Sequence, residues 1–214
     1  MKVGILGSGV VGQTLAAGFI QHGHEAMIGT REPAKLAEWS KGNPKARVAT
    51  PGEAASFADV VVLAVKGEAA VDALGGAGEE NLRGKTIIDA CNPIAEAPPE
   101  HGVLRFFTGP NASLMEQLQK EFPEAHLVKA FNSVGAPGMV NPQYAGGVRP
   151  TMFICGNNEA AKKTVAGILD QFGWETADMG AAEAARAIEP LCMLWCILGF
   201  TQNEWTHAFK LLRK

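Results

Sequence analysis

Hydrophobic positions along the 214-residue chain alternate between short apolar runs and helical spacing. The first such unit occupies residues 1–28. Val3, Gly4, Ile5 and Leu6 predict a buried strand, and Leu15, Ala16 and Phe19 predict a helix over 11–22 that buries one face against a sheet. Gly23 ends that helix, and residues 25–29 predict a second strand. Pro33 is placed to begin a helix over 32–41. Residues 47–49 predict a weak third strand. Thr50, Pro51 and Glu53 then read as cap, first helical position and capping-box partner of the next helix. Val60 to Val65 is a continuous apolar run, as a strand buried on both faces requires. Further strands are predicted over 85–90, 126–131, 151–155 and 174–178, with helices over 113–122 and 158–172. Residues 94–110, which include Pro98-Pro99 and His101-Gly102, predict a surface loop.

This alternation predicts an α/β fold, a Rossmann-like, doubly wound, mostly parallel sheet followed by a small C-terminal helical part. The division expected is 1–180 for the sheet domain and 181–214 for the helical segment. Pro190 either kinks that segment or starts a new helix. Beyond it, Leu191, Leu194, Trp195 and Leu198 share one face, while Cys192, Met193, Cys196 and Ile197 make the other side apolar. A helix apolar all round is expected to be buried on all sides. The expected cover is a second copy of the chain, so a homodimer through this helix is predicted; a substrate-pocket wall and simple core burial are the alternatives.

Composition narrows the function. A net charge of -3 argues against a nucleic-acid or anionic-membrane partner, which would need a basic surface. The longest apolar run, 190–200, is far shorter than the ~20 residues that span a bilayer, and residues 1–3 do not read as a signal peptide. The four cysteines are scattered and lack metal-ligand spacing with the five histidines, so reduced thiols, a cytoplasmic location and no metal are expected.

The chemistry is concentrated at the first turn, Gly7-Ser8-Gly9-Val10-Val11-Gly12. This spacing, between a strand and a helix, is the dinucleotide-binding fingerprint: Gly7 for the turn, Gly9 for close approach of a pyrophosphate, and Gly12 for helix–strand packing. At the end of the second strand, where NAD-binding chains carry a carboxylate, stand Gly29-Thr30-Arg31. A hydroxyl and a guanidinium suit a 2′-phosphate, with Lys35 adding charge, so NADP(H) is the expected cofactor. Ligands in such sheets lie beyond the carboxyl ends of the strands. Those ends are Ala64-Val65-Lys66, Asn92-Pro93 and Asn132, which supply candidates for the nicotinamide half. Asn92 and Asn132 are read as hydrogen-bonding the ribose or carboxamide, with local Asx turns as the alternative. The proton-transfer candidates Lys66, Lys129, His101 and His126 form no evident acid–base constellation.

Residues 2–31, Lys129-Ala130-Phe131-Asn132, residues 153–158, Ala184-Ala185-Arg186 and Glu189-Pro190-Leu191 together resemble the NADPH-dependent reductases of the deazaflavin coenzyme F420. They are equally similar to the cytosolic reductase domain of six-transmembrane metalloreductases. The resemblance implies NADP binding, a C-terminal part that completes the substrate pocket, frequent homodimers, and hydride transfer between the nicotinamide and a flavin or deazaflavin as small-molecule acceptor. By position it implies Ser8 to Val11 for the pyrophosphate and Thr30, Arg31 and Lys35 for the 2′-phosphate. A small imine or carbonyl reductase, and an NADP(H) sensor without turnover, remain the rival readings.

Overall fold

The computed structural model describes all residues, Met1–Lys214. In order the chain forms β1 (Lys2–Leu6), α1 (Val10–Gln21), β2 (Glu25–Gly29), α2 (Ala37–Gly42), β3 (Arg47–Ala49), α3 (Pro51–Phe57), β4 (Val60–Leu63), α4 (Ala70–Gly75) and α5 (Glu79–Leu82). It continues with β5 (Thr86–Asp89), α6 (Leu114–Glu121), β6 (His126–Lys129), β7 (Thr151–Ile154), α7 (Glu159–Gln171), β8 (Glu175–Asp178), α8 (Ala185–Ile188) and α9 (Pro190–Gln202). Six strands make a parallel sheet in the order β3-β2-β1-β4-β5-β6. Strand order reverses at β1 and β4, whose pairing runs from Val3 opposite Val60 to Leu6 opposite Leu63. This is the expected Rossmann-like, doubly wound fold.

Both sheet faces are covered, which explains the uniform burial of Val60–Leu63. One core gathers Ile5, Leu15, Phe19 and Val62, and the other Leu63, Leu74, Ile87 and Leu118. The capping box at α3 is complete: Thr50 accepts from the Glu53 N–H, and Glu53 accepts from the Thr50 N–H. Ser113 and Asn158 cap α6 and α7 by a single side-chain bond each, accepting from the Glu116 and Ala161 N–H groups.

Four expectations are corrected. The helix over 32–41 is a 3-10 turn, Pro33–Leu36, followed by the short α2. The strands over 151–155 and 174–178 form their own parallel pair, joined to the main sheet by an antiparallel bridge between Lys129 and Cys155. The C-terminal segment is helical only to Gln202, where Asn203 takes a left-handed conformation (φ 55). Residues 203–214 then return as an irregular tail, and the Thr151 N–H donates to the Phe209 carbonyl at 2.8 Å. Finally, α9 is not buried on all sides within the chain. Cys192, Trp195 and Gly199 face inward, whereas Leu194, Leu198 and Phe200 are 55%, 37% and 46% exposed. Trp195 is therefore separated from Leu194 and Leu198, with which it was expected to share a face. It stacks on His207 of the tail at 5.0 Å and donates to the His207 carbonyl.

Helical dihedrals continue through Glu189 into Pro190 without a break. The path Ala182–Gln202 is thus one 21-residue helical run containing an 18-residue stretch of mean hydropathy 1.3, by length and composition enough to cross a membrane, with 33% of that stretch buried. Glu189, within that run, is tied into the core. Its carboxylate pairs with the Lys129 ammonium at 2.8 Å, and Lys129 pairs with Asp89 at 2.6 Å, all three side chains being fully buried or nearly so. Removing one partner of a buried pair leaves an uncompensated charge, so Lys129→Met is expected to cost about 3–5 kcal/mol of unfolding free energy. Urea denaturation checks this; a loss under about 1 kcal/mol would place the pair at the level of a surface ion pair.

Candidate functional site

The site lies where β1 and β4 end side by side. Gly7 leaves β1 with φ 131, and a Cβ there would overlap the Ala64 carbonyl oxygen. A Cβ on Gly12 would overlap the Gly7 carbonyl oxygen and press on Ile5. Gly9 is different: extended (φ -76, ψ 179), it has nothing within 4 Å of its Cβ position. Three glycines thus serve two ends, close packing at Gly7 and Gly12 and open space at Gly9. The N-terminus of α1 opens onto that space without a capping side chain and without an acid in its first turn. Its leading N–H groups and positive dipole end are free for an anion.

A cleft of about 370 Å³ extends from this turn between the ends of β1, β2 and β4. It brings together Gly7, Ser8, Thr30, Arg31, Lys35 and Val65 from the expected set. Thr30 is buried, donates to the Ser8 hydroxyl at 3.3 Å, and accepts from the Glu32 N–H at 3.2 Å. Its hydroxyl thus fixes the turn that presents Arg31, which is exposed at the rim. Lys35 is paired with Glu32 at 2.7 Å on the surface, a contact weak enough to exchange for a phosphate. Asp72, Ala73 and Gly76 of the α4 region form the opposite wall with Pro51. Sequence reasoning missed these because 66–84 offers small residues and only a short apolar repeat. A wider cleft of about 580 Å³ lies under the C-terminal tail at Arg149, Trp174 and Lys210, where Thr151 and Glu175 begin β7 and β8.

The remaining expected residues outside this cleft lie at or just beyond neighbouring strand ends. Gly9, Val10 and Val11 form the open start of α1. Ala64 directly follows β4 and is buried; Lys66 is exposed, 3.7 Å from Glu96. Asn92, Pro93 and Asn132 lie beyond β5 and β6. The two asparagines are neither isolated nor simple local turns. Asn92 donates to the Asn132 carbonyl at 2.8 Å, and Asn132 donates to the Asn92 side-chain oxygen at 3.2 Å and to the Ile188 carbonyl at 3.0 Å. Asn132 Oδ1 is buried with no donor in the chain.

The proton-transfer candidates are dispersed. Lys129 is locked between carboxylates: burial alone would push its ammonium down, but Asp89 and Glu189 outweigh that and hold its pKa above the ordinary lysine value. His126 begins β6, at the end of the sheet opposite the cleft. His101 is an exposed left-handed residue (φ 51) in the 94–110 loop. Burial pushes the Cys155 thiol up to about 12 and raises Cys91 as well, so these are packing residues rather than nucleophiles.

A family model described as NADP oxidoreductase, coenzyme F420-dependent, matches residues 2–93. An F420-dependent NADP reductase from Methanocaldococcus jannaschii is 30% identical over 210 residues, covering 91% of this chain and 90% of that protein. The chain belongs to the F420-dependent NADP reductase family. It is an NADP-dependent oxidoreductase. A crystal structure from Arthrobacter sp. FB24, provisionally assigned as an F420-dependent NADP reductase, superposes with a TM-score of 0.93 at 36% identity, both chains covered in full. Metalloreductase STEAP3 of Rattus norvegicus is 30% identical over 190 residues, and the match spans 36% of that protein's length. A Streptomyces aurantiacus imine reductase, 18% identical with a TM-score of 0.67 over 94% of this chain and 62% of that one, shares the fold alone.

The glycines of this oxidoreductase separate by role in a way that stability measurements can read. Gly7→Ala and Gly12→Ala are each expected to lose about 2–3 kcal/mol, since backbone must move to admit the methyl group. Gly9→Ala is expected to fold within about 1 kcal/mol of wild type. Equal losses at all three positions would contradict the distinction.

Proposed function

We propose that this reductase passes hydride directly between NADP(H) and a flavin or deazaflavin of the F420 type, in the cytoplasm, where its four unpaired thiols stay reduced. The observation that carries this reading is the state of the proton-transfer candidates. Lys129 is committed to two carboxylates, Lys66 stands in solvent, and His126 lies at the far end of its strand. An alcohol dehydrogenation asks for a proton acceptor beside the hydride path, whereas flavin-like rings carry their own proton chemistry. The names of the relatives support the same acceptor class.

The residues present fit NADP(H), on the evidence of the open space at Gly9 and the uncapped start of α1. The N–H groups from Ser8 to Val11 would hold the pyrophosphate, with Gly7 and Gly12 setting their geometry. Thr30 and Arg31 would take the 2′-phosphate, joined by Lys35 once it leaves Glu32. Ala64, Val65 and Lys66 would border the nicotinamide ribose. Asn92 retains one amide hydrogen for the nicotinamide half and is held beside Pro93 by Asn132, whose unpartnered Oδ1 is a further acceptor. When bound, NADP(H) supplies or accepts the hydride at nicotinamide C4. The chain's part is positioning, which brings reacting atoms within about 3–3.5 Å and supplies most of the rate.

In the test, the loss of NADPH absorbance is followed with flavins, a deazaflavin, quinones and imines. Turnover is expected with the flavin or deazaflavin; turnover with imines alone would favour the imine-reductase reading, and none with any acceptor would favour a sensor. Arg31→Ala is expected to weaken NADPH by about tenfold to a hundredfold, the worth of a lost charged hydrogen bond, and NADH by no more than about twofold. Equal loss for both would remove Arg31 from the phosphate site.

We propose also that the apolar face of α9 contacts a second copy. Leu194 and Leu198, one helical turn apart, present large apolar side chains that a solvated surface does not favour, and Phe200 is exposed further round the helix. Light scattering at micromolar concentration is expected to give a dimer, and Leu194→Glu/Leu198→Glu a monomer. A wild-type monomer would leave this face to another use.

A further inference from the structure

Asp89, Lys129 and Glu189 reach one point from the last residue of β5, the last residue of β6 and the junction of α8 with α9. We propose that this buried cluster is the positioning device of the nicotinamide end, with Lys129 as its positioning residue. The inference rests on the cofactor reading above.

Lys129 Nζ has three oxygen neighbours, two carboxylates as ion pairs and one carbonyl as a hydrogen-bond acceptor. Nζ lies 2.6 Å from Asp89 Oδ2 and 2.8 Å from Glu189 Oε1, and it donates to the Cys91 carbonyl at 3.0 Å. Each partner carries the constraint outward. Asp89 Oδ1 accepts from the Cys91 N–H at 2.9 Å, so both sides of Cys91 are fixed and Asn92 follows from a clamped peptide. Glu189 accepts from the N–H groups of Leu114 and Met115, both at 3.0 Å, which fixes the start of α6 and disperses the surplus negative charge of the cluster. Asn132 closes the circuit by bonding Asn92 on one side and the carbonyl of Ile188, next to Glu189, on the other. Between Lys129 and Asn132 the buried Phe131 is held left-handed at φ 63, a conformation that costs a bulky residue energy and persists only where its surroundings impose it.

The ring Asp89–Cys91–Asn92–Asn132–Ile188–Glu189–Lys129 therefore sets two sheet-edge loops and the start of the C-terminal helices in a single frame. Stability alone does not call for this. Apolar packing of the same volume stabilises as well as a buried ion cluster or better, whereas a cluster whose charges are tied to backbone groups of several elements favours one arrangement. That arrangement stands at the strand ends where such folds bind ligands. Lys129 stays charged and inaccessible, so it acts through the loops it holds.

The test uses Asp89→Asn/Lys129→Met, which keeps the cluster's net charge at one negative, carried by Glu189 on the α6 N–H groups. Affinity is measured for NADPH and for adenosine 2′,5′-bisphosphate, a fragment that fills only the adenine end, together with turnover at saturating NADPH. Expected are fragment affinity within about twofold of wild type, and NADPH affinity and turnover each lower by about tenfold or more, as misplacement of a reacting ring would cause. An unchanged ratio of NADPH to fragment affinity with unchanged turnover overturns the proposal, as does a parallel loss of both affinities. Hydrogen exchange on the wild-type chain decides independently if the variant fails to fold. The amides of Cys91, Asn92, Asn132 and Ser133 are expected to be protected before cofactor is added; exchange as fast as that of Ser8 to Val11 overturns the proposal. A wild-type chain that binds neither ligand refutes the cofactor reading instead, and the exchange pattern still decides whether the frame is preformed.

Discussion

Any Cβ on Gly7 would overlap the carbonyl oxygen of Ala64, so β1 and β4 can end side by side only around a residue without a side chain. From that one contact the geometry of the site follows. The chain turns through a backbone angle that glycine alone adopts freely, α1 starts directly above the strand ends, and Gly12 lets it settle onto Ile5. The unfilled N–H groups of α1 then open onto the space left by Gly9. A cleft forms because the strand order reverses at the same place, carrying β2 with Thr30 and Arg31 to one side and β4 with Val65 to the other. Close packing and an open anion site are two consequences of the same glycine spacing.

The far end of the proposed cofactor path is built by different physics. Here the strands end in charged and amide side chains that bind one another in the interior. Asp89 and Lys129 are cross-strand neighbours at the last register position of β5 and β6, and Glu189 meets them from the C-terminal helices. This joins the helical segment to the sheet by ion pairing, while Trp195, pressed toward Gly135 and held by His207 of the tail, joins it by aromatic packing. The outer face of α9 is left apolar and uncovered within one chain.

Much of this was legible in the residues. The two hydrophobic periods identify the strands and most helices because the sheet buries both faces, and the capping residues at Thr50, Ser113 and Asn158 mark helix starts by local chemistry. The glycine turn and Thr30-Arg31 announce the cleft. The α4 wall was hidden, since Ala69, Ala73 and Gly76 are small and carry no recognisable chemistry. The fate of α9 was hidden for another reason: periodicity reports which residues are apolar, not which of two apolar sides meets the fold. Lys129 in an apolar strand was visible as an anomaly, but its partners lie 40 and 60 positions away, and only the folded chain brings Asp89 and Glu189 to it. The Asn92–Asn132 bonds were likewise a tertiary matter.

We propose that this chain transfers hydride directly by holding two rings together, without a proton-transferring side chain. NADPH deuterated at nicotinamide C4, prepared separately on each face and reacted with a deazaflavin in ordinary water, tests it. One labelled form is predicted to deliver its deuterium to the acceptor carbon without washout, and the other to retain its label in the oxidised cofactor. Delivery from both faces, or loss of label to solvent, would contradict a site that fixes the nicotinamide in one orientation.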